Sequence, residues 1–315
     1  MDINNPQECN LGFLRASFNK EATKHFDMDL FFYTGETISH YTNLSGLFGI
    51  VESGGFWLSD HRFLNDAEEF ENGRKLTNNL LKKLAHKSRY VCFKDVLLEA
   101  ISQLESYSED PYYVCSFSKK PDSLDQWRSY GGNGQGISIT FDNARKSLSH
   151  FFAMPILTVS KVIYSDNDKI KLLLRTIRRY KKEYVLDLEY GNRVDVEDWG
   201  EYLARHLALE FINFKHPEYA SEKEVRMAVS SSHLHHFQGI KHRVGKDCII
   251  PYITSKDIYD ESFEKHLGTD KLPIIEVRVG PAVNQDMTAR SIAEYLACKG
   301  YSGVEVIKSD VPYRG

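Results

Sequence analysis

The chain switches between two hydrophobic periods. Thr37-Ile38-Ser39-His40-Tyr41 alternates like a half-buried strand. Helical spacing follows: Leu44, Leu47, Phe48, Ile50 and Val51 share one face, Asn43 or Ser45 can cap it, and Gly54-Gly55 ends it. Phe56–Ser59 reads as a brief strand. A second helix opens at Asn65-Asp66-Ala67-Glu68-Glu69 and turns basic by Lys82-Lys83, a charge order that suits the helix dipole. A third helical stretch runs from Val91 to Tyr107.

The second half of the pattern is more mixed. Tyr112–Ser118 reads as a buried strand, Asp122–Tyr130 as a short helix, Gly131–Gly136 as a turn, and Gly136–Asp142 and 156–164 as strands. Residues 165–215 change character, with two long helical patterns that predict a helical insertion. Strand signals return at Glu224–Val229, Val244–Ile250 and Ile274–Gly280, followed by a helix at Thr288–Lys299 and a strand at Val304–Ile307. Strands and helices mix without regular βα alternation, so the predicted class is α+β. The domain reading is a polar lead-in over residues 1–35 and one domain over 36–315 that carries the insertion.

Composition narrows the class. The chain has 315 residues, 42% hydrophobic and 27% charged, which is an ordinary globular mix. Eighteen Phe, eighteen Tyr and three Trp can fill a sizeable core. The formal charge of -4 gives no bulk signal for nucleic acid. Five scattered cysteines (Cys9, Cys92, Cys115, Cys248, Cys298) lack metal-ligand spacing and read as reduced packing residues, which suits a cytoplasmic protein. Met1–Pro6 lacks the basic-then-apolar order of a signal peptide, and no apolar window is long enough for a bilayer, so no membrane partner is expected.

Three separated clusters carry the candidate chemistry: His40-Tyr41-Thr42, Ser116-Phe117-Ser118 and Glu222-Lys223-Glu224-Val225-Arg226. They supply a histidine, a hydroxyl pair and a carboxylate pair. On a strand, residues two apart share a face, so Glu222, Glu224 and Arg226 are expected on one side, as are Ser116 and Ser118. Arg226 can pair with a carboxylate or meet a phosphate.

Further pieces accompany the clusters: Trp57-Leu58-Ser59, Leu64-Asn65-Asp66-x-x-Glu69, Gln126-Trp127-Arg128-x-Tyr130 with Gly136, Val279-Gly280-Pro281 and Ser309-Asp310-Val311-Pro312-Tyr313-Arg314. Together and in this order they resemble a bacterial family of uncharacterised domains grouped with ADP-ribosyltransferase folds. The resemblance implies a split, curved β core with surrounding helices and NAD as co-substrate in the central cleft. It implies Glu224 as the catalytic carboxylate with Glu222 near the acceptor, although the assignment between the two stays open. His40, with Tyr41 and Thr42, matches the NAD-holding position, and Ser116 and Ser118 would order the site. Tyr41, Phe117, Trp127 and Tyr130 are candidates to stack on the cationic nicotinamide ring, and Arg226 is a candidate phosphate contact. No metal is expected.

The chain combines His40 with Ser-x-Ser, a hybrid that leaves the acceptor class open. The implied activity is transfer of ADP-ribose from NAD to a macromolecule, protein or nucleic acid. Fold relatives include toxins and antiviral defence effectors, which implies a similar role and an antitoxin-like partner. Two rivals remain: NAD hydrolysis with water as acceptor, and a non-catalytic module that binds a nucleotide or a protein.

Other features have plainer readings. Asn65, Asp66 and Glu69 suit helix capping better than pyrophosphate binding, because their charge opposes an anion. Gly131–Gly136 precedes a strand instead of opening a helix, so the dinucleotide fingerprint fails. His233, His235, His236 and His242 read as a loop. Lys169 to Lys182 carries seven Lys/Arg and no acid, with Arg175, Arg178, Arg179 and Lys182 at one-face spacing. It is the one hint of nucleic-acid contact.

Overall fold

A computed structural model describes residues 37–63, 68–106, 112–142, 158–231, 239–245, 247–258, 271–282 and 284–313. Its elements begin with β1 (Thr37–Thr42), α1 (Leu44–Ser53), β2 (Trp57–Asp60), α2 (Glu68–Ala85), α3 (Lys94–Ser106), β3 (Tyr112–Ser118), α4 (Leu124–Ser129), β4 (Ile137–Asp142) and β5 (Thr158–Lys161). They continue with α5 (Asp166–Glu189), α6 (Val196–Phe211), β6 (Glu224–Ser230), β7 (Lys241–Val244), β8 (Ile249–Thr254), α7 (Ser255–Ile258), β9 (Ile274–Val279), α8 (Gln285–Cys298) and β10 (Glu305–Lys308). The fold is α+β. The described residues fall into two compact units, a helical one drawn from Asn65–Asp110 and Ile163–Glu218 and a sheet one drawn from Asp29–Leu64, Pro111–Val162 and Tyr219–Gly315.

In the sheet unit the main path runs β10-β9-β4-β1-β3-β2-β8-β7, and β6 joins the other edge of β3 with β5 beyond it. β9 and β10 are parallel; every other pairing between these strands is antiparallel. β3 is the pivot. One edge pairs with β6 along its whole length, from Tyr112↔Ser230 to Ser118↔Glu224. The other edge is divided: β1 takes Ser118 and β2 takes Val114 and Tyr113. Two wings of the sheet therefore diverge from one strand.

One face of this sheet is the core. Ile38, Phe117, Ile139, Phe141, Val225, Met227, Ile253 and Val277 pack there with Leu47, Ile50 and Val51 of α1 and Ile292 and Leu296 of α8. Full burial of each large side chain contributes roughly 1.5–3 kcal/mol. α1 forms because Asn43 accepts from the Gly46 N–H at 2.8 Å and Gly54, at φ 66°, closes it with a bond to the Ile50 carbonyl. Phe48 stacks on Tyr295, and Glu52 accepts from Tyr295 and pairs with Lys299, so α1 and α8 lie side by side.

The helical unit contains both helices predicted for 165–215, and they pack with α2 and α3. α6 starts where Asp195 accepts from the N–H groups of Glu197 and Asp198. Trp199, Leu203, Leu207 and Phe211 then bury one stripe at helical spacing. Tyr180 and Tyr184 of α5 set their ring edges against Trp199 at 6.0 and 5.3 Å.

Two expectations need correction. The strand predicted over Val244–Ile250 is a hairpin: β7 ends at Val244, the Gly245 N–H donates to the Cys248 carbonyl at 2.8 Å, and β8 starts at Ile249. Gly245 and Asp247 are turn formers, and the flanking apolar residues obscure that signal. The basic face of α5 also divides. Arg175 and Arg179 are half-buried and act electrostatically on Glu210 and His206 of α6, while Arg178 and Lys182 are exposed. No described helix is long and apolar enough to cross a membrane.

Candidate active site

Antiparallel partners directly opposite one another project to the same side. The registers therefore define a polar row across five strands: Glu276, Thr140, Ser39, Ser118 and Glu224. A second row joins Ser116, Arg226 and Ser160, and a third joins Tyr41, Ser138 and Arg278. Ser39 and Thr140 share a hydroxyl hydrogen bond of 3.0 Å. Among the predicted residues, Tyr41, Ser116, Ser118, Glu224 and Arg226 belong to this polar face.

Glu222 reaches the cluster by another route. It ends the 3-10 turn Pro217–Glu222, and β6 begins only at Glu224. Between them Lys223 adopts φ 49°, a left-handed conformation that a lysine rarely takes. The strand-alternation argument therefore fails for the Glu222–Glu224 pair, because a kink separates them. The kink is held tightly. Ser118 Oγ donates to the Glu222 carbonyl at 2.7 Å and accepts from the Lys120 N–H at 3.1 Å. The Lys119 N–H donates to the Lys223 carbonyl, and Gln126 Nε2 also reaches the Glu222 carbonyl. The Glu222 carboxylate accepts from the Tyr130 hydroxyl at 3.1 Å. Tyr130 is exposed and Glu222 is buried, so the tyrosine is the outer member of this pair.

Glu224 and Arg226 form a buried fork. Arg226 Nε donates to one carboxylate oxygen at 2.7 Å and Nη2 to the other at 3.2 Å. Both residues are at most 6% exposed. Two-point geometry of this kind makes a strong pair, and it neutralises the Glu224 charge.

His40 lies on the other side. Alternation along β1 places it with Ile38, and its ring meets the edge of Phe117 at 5.8 Å between centroids. Its Nδ1 bonds the Ser116 carbonyl at 2.8 Å, at the point where β1 and β2 diverge from β3. A carbonyl only accepts, so Nδ1 carries the proton. Burial lowers the His40 pKa against the pull of that bond, which leaves a neutral ring with Nε2 as an acceptor. Arg243 acts on His40 electrostatically and donates to Ser59 Oγ at 3.0 Å. Cys115 is close by, its thiol pushed up to about 12 by burial and therefore uncharged.

The remaining predicted residues are mostly enclosed. Phe117 is core, edge-on to Phe56 and Phe141. Trp127 is fully buried against Tyr41 with 4.8 Å between ring centroids. The Tyr41 hydroxyl donates to the Lys120 carbonyl and accepts from the Ser123 N–H, and burial raises its pKa. Thr42 packs beneath α1: a Cβ at Gly46 would sit 2.0 Å from Thr42 Oγ1. Of the aromatic candidates, Tyr130 alone presents an exposed ring.

Sequence reasoning missed two residues. Asp122 accepts from Trp127 Nε1, Ser309 Oγ, the Asp310 N–H and Arg278 Nη1, at 2.7, 2.6, 3.1 and 3.4 Å. It ties α4 to the closing segment; its position ahead of a helix suggests only capping. Arg243 adjoins a stretch that reads as loop, and nothing local marks it. Asn65, Asp66, His233, His235, His236 and Arg314 lie outside the described residues.

The three clusters thus meet on adjacent strands, with His40 facing one side and Ser118, Glu224 and Arg226 the other. A domain described as a protein of unknown function (DUF2971) is found at residues 126–227. That span runs from α4 into β6 and includes Tyr130, Glu222, Glu224 and Arg226. No curated protein and no solved structure matches the chain.

Proposed function

We propose that the protein is an ADP-ribosyltransferase that moves ADP-ribose from NAD to a macromolecule. The observation that carries the reading is the division of one β3 edge between β1 and β2, with His40 lodged at the divergence. A split sheet of this kind is what the resemblance to ADP-ribosyltransferase folds implies. Backbone strain at Lys223, between the two candidate carboxylates, adds to it, because rare conformations cluster at functional sites.

In the reaction the bond between C1′ of the ribose and the nicotinamide nitrogen breaks, and nicotinamide leaves with the bonding pair. Positive charge develops at C1′, and a fixed carboxylate stabilises it. An acceptor nucleophile then bonds to C1′ and releases its proton. We assign this role to Glu222, which the exposed Tyr130 reaches, rather than to Glu224, both of whose carboxylate oxygens Arg226 grips. Tyr130 holds the Glu222 carboxylate and offers a ring for the nicotinamide. Ser118 orders the turn, and the His40 Nε2 lone pair suits a ribose hydroxyl. A toxin-like or defence role, with an antitoxin-like partner, follows from the resemblance alone.

A second reading has its own observation. His40 and Glu224 face opposite sides of the sheet, and Glu222 and Glu224 are buried. That arrangement favours a non-catalytic module that binds a nucleotide or a protein.

Nicotinamide release from NAD separates the readings. Wild type is compared with Glu222→Gln, with RNA, DNA or cell lysate added in turn. Release that depends on Glu222 and labels an acceptor supports the transferase; release without label identifies NAD hydrolysis. No release from folded protein under any condition sinks the catalytic reading and leaves the binding module.

A further inference from the structure

The helical unit gathers four cations around one concavity. A pocket of about 450 Å³ opens beside the 3-10 turn Ser88–Phe93 and α5, lined by Arg89, Arg178, Lys181 and Lys182, with Val185 and Leu186 on its wall and Glu189 as the one opposing charge in its lining. The α5 residues recur at three- and four-residue steps, so one stripe of the helix faces the pocket. Several other cations of this unit are matched: Lys75 with Glu71, Lys82 with Glu105, Lys169 with Asp166, Lys171 with Asp168 and Arg205 with Glu201. Arg89, Arg178, Lys181 and Lys182 have no ion-pair partner among the described residues. Like charges gathered around one concavity repel one another, and an incoming anion relieves that repulsion.

The site is also organised in advance. Tyr90 is buried, with the Arg89 guanidinium carbon 5.4 Å and Lys181 Nζ 5.1 Å from its ring centroid. Cation–π contacts hold both side chains and reduce the entropy lost on binding. Lys87 and Lys94 bracket the 3-10 turn Ser88–Phe93 in the chain, and both are exposed, so the turn that lines the pocket adds further cations, which suits a chain of phosphates better than a single nucleotide. Tyr90 already carries its two cations and is buried, so it offers no exposed aromatic face to a base.

We infer that this face of the helical unit binds the phosphodiester backbone of a nucleic acid without reading its sequence. The inference does not rest on the transferase reading; a protein that never turns over NAD would still bind.

The test is fluorescence anisotropy with labelled single-stranded RNA and DNA of two unrelated sequences, at about 50 mM and about 200 mM salt. The full chain is used as wild type, as R178E/K181E and as K171E, an exposed control on the same helix. Wild type is expected to bind both sequences alike and to weaken with salt. The double variant is expected to bind at least tenfold more weakly, with the slope of log K against log salt reduced by roughly 0.7 for each phosphate that is no longer neutralised. K171E should match wild type. Helix content by circular dichroism confirms folding, and R89Q/K182Q replaces the double variant if folding fails. The inference is overturned by no binding at low salt, by undiminished binding of the charge-reversed protein, or by ATP competing as well as the oligonucleotide, which would assign the pocket to a mononucleotide.

Discussion

Ser39 on β1 and Ser118 on β3 are direct partners, and theirs is the one ladder pair that joins the two strands. Each hydroxyl is committed elsewhere, Ser39 to Thr140 and Ser118 to the Glu222 carbonyl. The narrow junction thus connects the β4 wing to the Glu222 turn through two buried serines. Next to it, His40 Nδ1 donates to the Ser116 carbonyl.

The Glu224–Arg226 fork makes a stability prediction. Glu224→Gln leaves the Arg226 guanidinium buried without its counter-charge, and breaking a buried pair typically costs about 3–5 kcal/mol. The urea midpoint should fall accordingly. Replacing both residues together by Gln and Met should recover much of the loss. An unchanged midpoint for the single variant would show that the fork contributes little. The same result would make Glu224→Gln a safe probe of activity, which the fork predicts it is not.

His40 should titrate below the usual histidine value. Its pKa is lowered by burial, and the Ser116 carbonyl fixes the proton on Nδ1. Nitrogen-15 shifts of the ring should report the Nδ1–H tautomer at neutral pH and a titration midpoint below that of a free histidine. An ordinary titration midpoint, or a proton on Nε2, would contradict the arrangement. Because the folded pKa lies below the unfolded one, the stability His40 confers is complete above about pH 6.5 and is lost as pH falls toward the folded value.

The helical unit should be most stable in mildly acid solution. Burial takes His206 down to about 3 and Glu210 up to about 8. Below the unfolded histidine value near 6.5, the unfolded chain binds the His206 proton more readily, so stability falls as pH drops toward 3. Above the unfolded glutamate value near 4.5, the folded chain keeps the Glu210 proton, so stability falls as pH rises toward 8. The two effects oppose each other between those unfolded values. The melting temperature should therefore peak there, and Glu210→Gln should remove the decline on the alkaline side. A wild-type melting temperature that does not decline between pH 6.5 and 8 would refute the Glu210 assignment.

Much of the fold is legible in the sequence because local signals agree with tertiary packing. Asn43 and Gly54 bound α1 in the sequence as they do in the structure. The strands at Tyr112–Ser118 and Glu224–Ser230 follow from their apolar periods, and they are partners. What stays hidden depends on contacts between distant residues. Lys223 carries no turn signal; the bonds from Ser118 and Lys119 hold the backbone around it. Arg175, Arg178, Arg179 and Lys182 look like one evenly exposed basic face, yet Arg175 and Arg179 are half-buried, close enough to Glu210 and His206 of α6 to act on both electrostatically. The division of β3 between two partners is a matter of topology, and a hydrophobic pattern says nothing about which strand sits next to which.

The order in which the chain supplies its parts has a consequence for its biogenesis. β3 emerges early, but the strand that covers its entire second edge, β6, arrives only after both long helices α5 and α6. During synthesis one side of the central strand therefore stays open until β4, β5 and both helices have followed it, which exposes a template for stray pairing. A piece cut to residues 126–227 would contain β4, β5 and the first half of β6 but neither β1 nor β3, and would carry an uncovered edge permanently.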